Sequence, residues 1–159
     1  MDLLLWRHAE AEAESATGLD ADRALTRRGR KDAAKMAKWL KGHLPTDTIV
    51  LSSPARRCQE TVAALRDISD IRARAVEFLS VDSNIERIRK ELATFTGDKT
   101  VLVVGHQPNL GSLVARLVGM QESSCVVKKG AVWWLHQRSS QGNTAPQTYL
   151  LTVQHPDYL

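Results

Sequence analysis

The chain has 159 residues, 43% hydrophobic and 25% charged; this size and balance let one domain enclose a core, and they argue against a disordered, collagenous or fibrous chain. Twenty-two Lys and Arg against eighteen Asp and Glu leave a net charge of +4, which suits an anionic partner but falls short of the dense basic stripe of a nucleic-acid binder. Two cysteines, Cys58 and Cys125, stand apart without CxxC spacing, so neither a disulfide framework nor a zinc knuckle is indicated and a reducing compartment fits.

Leu3 to Trp6 is a short, unbroken apolar run that reads as a strand buried on both faces. It is too short for a membrane span and lacks the basic flank of a signal peptide, so a soluble cytoplasmic protein, bound to no membrane, is expected. Ala9 to Asp22 carries Glu10, Glu12, Glu14, Asp20 and Asp22 and no Lys or Arg, and such a loop is expected to serve solvation. Arg23 to Lys41 is then strongly basic. Within it Ala33, Met36, Ala37 and Leu40 recur at helical spacing, predicting a helix over Arg28 to Leu40 that Gly42 and Pro45 close.

Thr48 to Leu51 is a second β-branched run, after which Ser52-Ser53-Pro54 supplies a hydroxyl cap and a proline suited to a first helical turn. Ala55, Cys58, Val62 and Leu65 mark the helix that should follow, and Arg74 to Phe78 reads as a short third strand. Ser83 with Glu86 makes a capping-box pattern ahead of Ile85, Ile88, Leu92 and Phe95. Val101 to Val104 is the clearest buried strand, and Gly105-His106-Gln107-Pro108 leads from it into Leu110, Leu113, Val114 and Leu117. Beyond Gly119 the strand runs Ala131–Leu135 and Thr148–Val153 should pair as a hairpin across the polar segment Ser139–Pro146. Strand period points one of Trp133 and Trp134 away from the core, where it would line an interface. This order predicts one domain over residues 1–159, a three-layer α/β/α sandwich whose central sheet is mostly parallel with a C-terminal antiparallel hairpin.

In such sheets ligands sit outside the carboxyl ends of the strands. Arg7 and His8 follow the first strand, Ser52, Ser53 and Arg57 the second, and His106 the clearest later one, so two histidines and two arginines can converge at one edge. Arginine offers a planar fork to phosphate oxygens, and histidine can attack or move a proton. Other phosphate chemistries lack their motifs. There is no GxxxxGK[ST], Gly97-Asp98-Lys99-Thr100 reads as a turn before a strand, and Ala64 and Ala131 stand where a cysteine phosphatase needs arginine. No GxSxG elbow occurs, and His8 with Glu10 lacks a second ligand pair, so neither metal nor cofactor is expected. His43, His136 and His155 follow no motif and read as surface or loop residues.

Arg7-His8-Ala9-Glu10, Leu25-Thr26-Arg27-Arg28-Gly29, Ser52-Ser53-Pro54-Ala55-Arg56-Arg57 with Thr61, and Gly105-His106-Gln107-Pro108, in this order, resemble the histidine phosphatase (phosphoglycerate-mutase-like) superfamily. The short length, the lack of an inserted cap and Asp22-Arg23-Ala24-Leu25-Thr26 look like its SixA-type phosphohistidine phosphatases. The resemblance implies that His8 is a transiently phosphorylated nucleophile, that Arg7 and Arg57 hold the phosphoryl oxygens and that His106 completes the pocket. It also offers Arg23 as a further phosphate contact, equally readable as a surface charge, and leaves Ser53 as a helix cap. Ala9 departs from the glycine common after this histidine. The general acid that larger relatives place before the second histidine is matched only by Glu77 and Asp82, outside the family pattern. A weak acid suits a P–N substrate, because the nitrogen of a protonated phosphohistidine leaves readily whereas an alkoxide needs a donor contributing about 10² to 10⁴ in rate. The expected partner is a histidine-phosphorylated protein, with a role in signal transduction; small phosphate monoesters as substrates and a catalytically weak phosphoprotein-binding module remain alternatives.

Overall fold

In the computed structural model, described for residues 1–138 and 147–159, six strands form one sheet. They are β1 (Asp2–Arg7), β2 (Ile49–Ser52), β3 (Ala73–Ala75), β4 (Thr100–Gly105), β5 (Val132–Arg138) and β6 (Gln147–Gln154), in the order β3-β2-β4-β1-β5-β6. β1 to β4 run parallel, while β5 pairs antiparallel with β1 and β6 with β5. The fold is therefore the expected α/β sandwich with a C-terminal hairpin; the Ser139–Pro146 connection lies outside the described residues. β1 and β4 sit at the centre because their apolar runs can be covered on both sides, and Leu3 to Trp6 pair with Val101 to Val104 residue for residue.

Four helices supply the outer layers: α1 (Arg27–His43), α2 (Arg56–Arg66), α3 (Ile85–Leu92) and α4 (Asn109–Val118). The period-two alternation of the strands divides the core. Leu4, Trp6, Leu102 and Val104 pack against Met36, Ala37 and Leu40 of α1 and Cys58, Val62 and Leu65 of α2. Leu3, Leu5, Val101 and Val103 pack against Ile88 and Leu92 of α3 and Leu110, Leu113 and Val114 of α4. The same division claims both tryptophans. Trp134 joins the first cluster, edge-on to Trp39 with centroids 6.1 Å apart, and the partly buried Trp133 packs against the second, so the two side chains point to opposite faces of the sheet.

Local chemistry shifts several element ends. α1 continues through Gly42 to His43, since its last turn still donates the Leu44 amide to the Leu40 carbonyl. α2 begins only at Arg56; Ser53 Oγ accepts from the Ala55 amide at 3.2 Å, so the serine turns the chain before the helix and Pro54 stays outside it. β3 stops at Ala75, because Phe78 and Leu79 are drawn into the core on a 3₁₀ turn over Glu77–Leu79. α3 is capped by Asn84, which accepts from the Arg87 amide at 3.0 Å, and not by Ser83.

Parallel pairing is what assembles the site. Arg7 stands level with Gly105 and Ser52 with Val104, so β1, β2 and β4 end together and the residues after them share one edge. The His8 amide extends this pairing by one bond, donating to the Gly105 carbonyl at 3.1 Å.

Candidate active site

His8 sits on a loop whose backbone is held from several sides. The Gly130 amide reaches the carbonyls of Arg7 and His8, each at 3.1 Å. The Ala9 amide donates to Thr61 Oγ1 at 3.0 Å, and Thr61 Oγ1 donates to the Arg57 carbonyl at 2.7 Å, so one hydroxyl links the two arginine-bearing segments. Thr26 caps α1 by accepting from the Gly29 amide at 3.0 Å and donates to Glu10 Oε1 at 2.8 Å. Gly29 lies so close to the Glu10 carbonyl that a side chain there would strike it. Residues without reactive groups thus fix the strand-to-loop turn that carries His8. Glu10 is spent in this scaffold and does not line the pocket beside His8.

The ring of His8 is buried, and its Nδ1–H donates to the Ala9 carbonyl at 2.8 Å. A carbonyl only accepts, so this bond puts the proton on Nδ1 and leaves the Nε2 lone pair unprotonated. Burial, joined by the nearby His106, Arg57 and Arg7, pushes the pKa of His8 down to about 3 against the opposing pull of the Ala9 carbonyl. The imidazole is therefore neutral at physiological pH. His106 faces it with ring centroids 5.4 Å apart, and burial with the charge of Arg57 lowers its pKa to about 4. His106 Nε2 lies 2.8 Å from Ser53 Oγ and 3.6 Å from Cys58 Sγ, so Ser53 positions this ring as well as turning the chain before α2. Burial raises the Cys58 thiol to about 12, which leaves it protonated and unsuited to attack.

These groups line a pocket of about 370 Å³ that holds Arg7, His8, Arg23, Arg57, His106 and Asp20. The structure thus brings together all five side chains singled out in the sequence. Arg7 Nη1 is anchored to the Val127 carbonyl at 3.0 Å, and the fork of the buried Arg57 is held by the Asp20 backbone oxygen at 2.9 Å and Asp20 Oδ2 at 3.0 Å. Three nitrogens of the pocket residues are buried without a partner, Arg7 Nε, Arg57 Nε and His106 Nδ1. Buried N–H groups are rarely left unpaired, and an oxyanion in this pocket offers acceptors to the two guanidiniums that carry the unpaired Nε–H groups. A larger cavity of about 970 Å³, bordered by Met1, Leu92, Phe95 and Gly97, contains none of the five.

Asp20 was not legible as a site residue. It lies in the acidic loop expected to serve solvation, yet its carboxylate bridges Arg57 and Arg23, with Oδ1 3.0 Å from Arg23 Nε. Burial at the pocket edge pushes its pKa up, but the bonds and charges of Arg57 and Arg23 outweigh that and hold it below the usual carboxylate range. Arg23 lines the pocket through this pairing and also donates to the Glu12 carbonyl at 2.8 Å. Glu77 and Asp82 are exposed and do not line the pocket, where Val81 stands instead.

A buried neutral imidazole, flanked by guanidiniums at the carboxyl edge of a parallel sheet, is equipped to receive a phosphoryl group, which defines a class of phosphoryl-handling α/β enzymes. Comparison with known proteins narrows the class. The model of the histidine phosphatase superfamily (branch 1) matches residues 3–80, a span that includes Arg7, His8 and Arg57. The chain is 33% identical over 132 residues to the phosphohistidine phosphatase SixA homolog of Haemophilus influenzae, covering 75% of this chain and 78% of that one. It is 31% identical over 121 residues to phosphohistidine phosphatase SixA of Escherichia coli K12, covering 74% of each. The solved structure of the protein histidine phosphatase SixA complexed with tungstate superposes with a TM-score of 0.84 at 25% identity, over 99% of both chains. The chain belongs to the histidine phosphatase superfamily and is a phosphatase.

Proposed function

We propose that this phosphatase removes the phosphoryl group from a phosphohistidine of another protein, through a covalent intermediate on His8. The observation that carries the reading is the Nδ1–H bond of His8 to the Ala9 carbonyl, which presents an unprotonated Nε2 beside Arg7, Arg57 and His106. In the first step the Nε2 lone pair forms a bond to phosphorus while the substrate's P–N bond breaks, its electron pair passing to the leaving imidazole. A neutral nucleophile approaches the anion without the repulsion a carboxylate would meet. Arg7 and Arg57 neutralise the charge on the equatorial oxygens, and His106 completes the pocket wall beside them. In the second step a water oxygen bonds to phosphorus, the pair of the P–N bond returns to His8 Nε2, and the water proton leaves with the phosphate or to solvent.

Three observations support the substrate class. The two sequence relatives above carry the name phosphohistidine phosphatase, and the solved structure of a protein histidine phosphatase SixA holds tungstate, a tetrahedral oxyanion like phosphate. Only Asp20 among the pocket residues is a carboxylic acid, and it is held as the anion, so the pocket residues include no carboxyl ready to protonate an alkoxide. The test is phosphate release from a histidine-phosphorylated carrier protein and from an aryl phosphate, with wild type and His8→Ala side by side in the presence of chelator. Release from the protein substrate that is lost in His8→Ala is the expected result. Faster turnover of the aryl phosphate, or release that chelator abolishes, would contradict it.

A further inference from the structure

We propose that Asp20 is a specificity-determining residue: its carboxylate accepts a hydrogen bond from the distal ring N–H of the leaving imidazole, favouring P–N substrates over P–O substrates. The inference rests on the phosphohistidine reading above and adds the group that reads the leaving side of the bond. Three features of the geometry carry it.

Asp20 lines the same pocket as His8, His106 and Arg57 and is the only carboxylate among its lining residues. It is held in place by Arg57 and Arg23, each at 3.0 Å, yet its side chain remains 57% exposed. A carboxylate has about four acceptor sites and these two bonds occupy two of them, so open acceptor capacity remains at the pocket mouth. The clamp is not exhausted by the pairing either. A guanidinium has five N–H donors, and Arg57 gives one from each terminal nitrogen to Asp20, leaving three that include the unpartnered Nε. Arg57 can hold a phosphoryl oxygen while Asp20 stays where it is.

The chemistry of the leaving group then decides between substrates. A phosphohistidine leaves most readily when its distal nitrogen is protonated. As the P–N bond breaks, the electron pair settles on the proximal nitrogen, the distal nitrogen keeps its proton, and neutral imidazole departs with no proton taken from the enzyme. A fixed anion beside that N–H stabilises the protonated, reactive form by a charge-assisted hydrogen bond. For a phosphate ester the leaving oxygen gathers negative charge, and the same carboxylate opposes it.

The experiment compares kcat/KM for phosphoimidazole and for an aryl phosphate in wild type, Asp20→Asn and Asp20→Glu, together with the pH profile on phosphoimidazole. Asp20→Asn is expected to lower the ratio of kcat/KM for phosphoimidazole to kcat/KM for the aryl phosphate by about tenfold or more, the scale of a charge-assisted hydrogen bond, beyond what both substrates lose together with the Arg57 contact. The alkaline limb of kcat on phosphoimidazole should move to lower pH, because the distal nitrogen of the bound substrate loses the anion that favoured its proton, and Asp20→Glu should recover part of the rate. Equal losses on both substrates would reduce Asp20 to a support of Arg57, and no change on either would remove it from the site; each overturns the proposal. Failure of wild type on both phosphoimidazole and a histidine-phosphorylated protein would instead overturn the functional reading on which it rests.

Discussion

The two ends of the central strands treat polar groups in opposite ways. At the amino end Asp2 satisfies both its neighbours, accepting from Trp134 Nε1 at 3.0 Å and lying 2.5 Å from His136 Nδ1, while the Met1 amine donates to the Gln137 carbonyl at 3.0 Å. At the carboxyl end Arg7, Arg57 and His106 each keep a buried nitrogen without a partner. The described residues contain three other buried orphans, Trp6 Nε1, Trp133 Nε1 and Ser83 Oγ, which are neutral and lie outside the pocket. A closed polar cluster ties a strand into the fold, whereas two guanidiniums and an imidazole with unpaired nitrogens around one cavity carry a cost that an anion bound by the guanidiniums offsets. The same sheet therefore shows its structural end and its functional end by what each leaves unpaired.

The sharpest break of this contrast is His8→Ala, which removes the nucleophile and should eliminate turnover by several orders of magnitude while the amino end, and the cooperative unfolding that depends on it, stays intact. Arg57→Ala comes next. It withdraws one arm of the clamp and should cost about 10² to 10³ in kcat, read by steady-state kinetics on phosphoimidazole. Thr61→Val acts on the scaffold, since it strips the Ala9 amide of its acceptor and severs the link to the Arg57 carbonyl. A stability loss of about 1–3 kcal/mol in denaturant unfolding is expected. Acidification should reveal the two buried histidines. Their native pKa values of about 3 and about 4 lie below the unfolded value near 6.5, so the unfolded state binds more protons in between. Stability should be complete above about pH 6.5 and decline as the pH falls toward 4, and the decline should be shallower in His8→Ala. The smallest effect belongs to the amino end. Asp2→Asn should lower stability by about 1 kcal/mol and leave kcat unchanged, and a catalytic defect there would erase the distinction between the two ends.

The central strands were readable in the sequence because burial on both faces produces unbroken apolar runs, as in Leu3–Trp6 and Val101–Val104. The junctions after them are readable for the same reason, since a parallel sheet carries Arg7, His8, Arg57 and His106 to one edge. Short-range competition was harder to foresee. Asn84, one residue on, caps α3 in place of Ser83 by accepting from the Arg87 amide, and Phe78 and Leu79 end β3 because their packing into the core overrides a local pattern. Asp20 was invisible for a different reason. Its meaning depends on Arg57, 37 residues away, and an acidic loop offers no pattern to tell the carboxylate that turns inward from those that face water. The missing general acid, by contrast, is legible as a gap, and in the structure Val81 lines the pocket while Glu77 and Asp82 stand outside it.

The central claim is that the unprotonated Nε2 of His8 takes the phosphoryl group. It is tested most directly by rapid acid-free quenching of wild type during turnover of phosphoimidazole, followed by mass analysis of the peptide that carries residue 8. The expected result is an acid-labile, alkali-stable phosphoryl group on His8 that forms and decays at least as fast as phosphate is released, and that is absent from His8→Ala. A phosphoryl group found on another residue, or full turnover with none on His8, would contradict it.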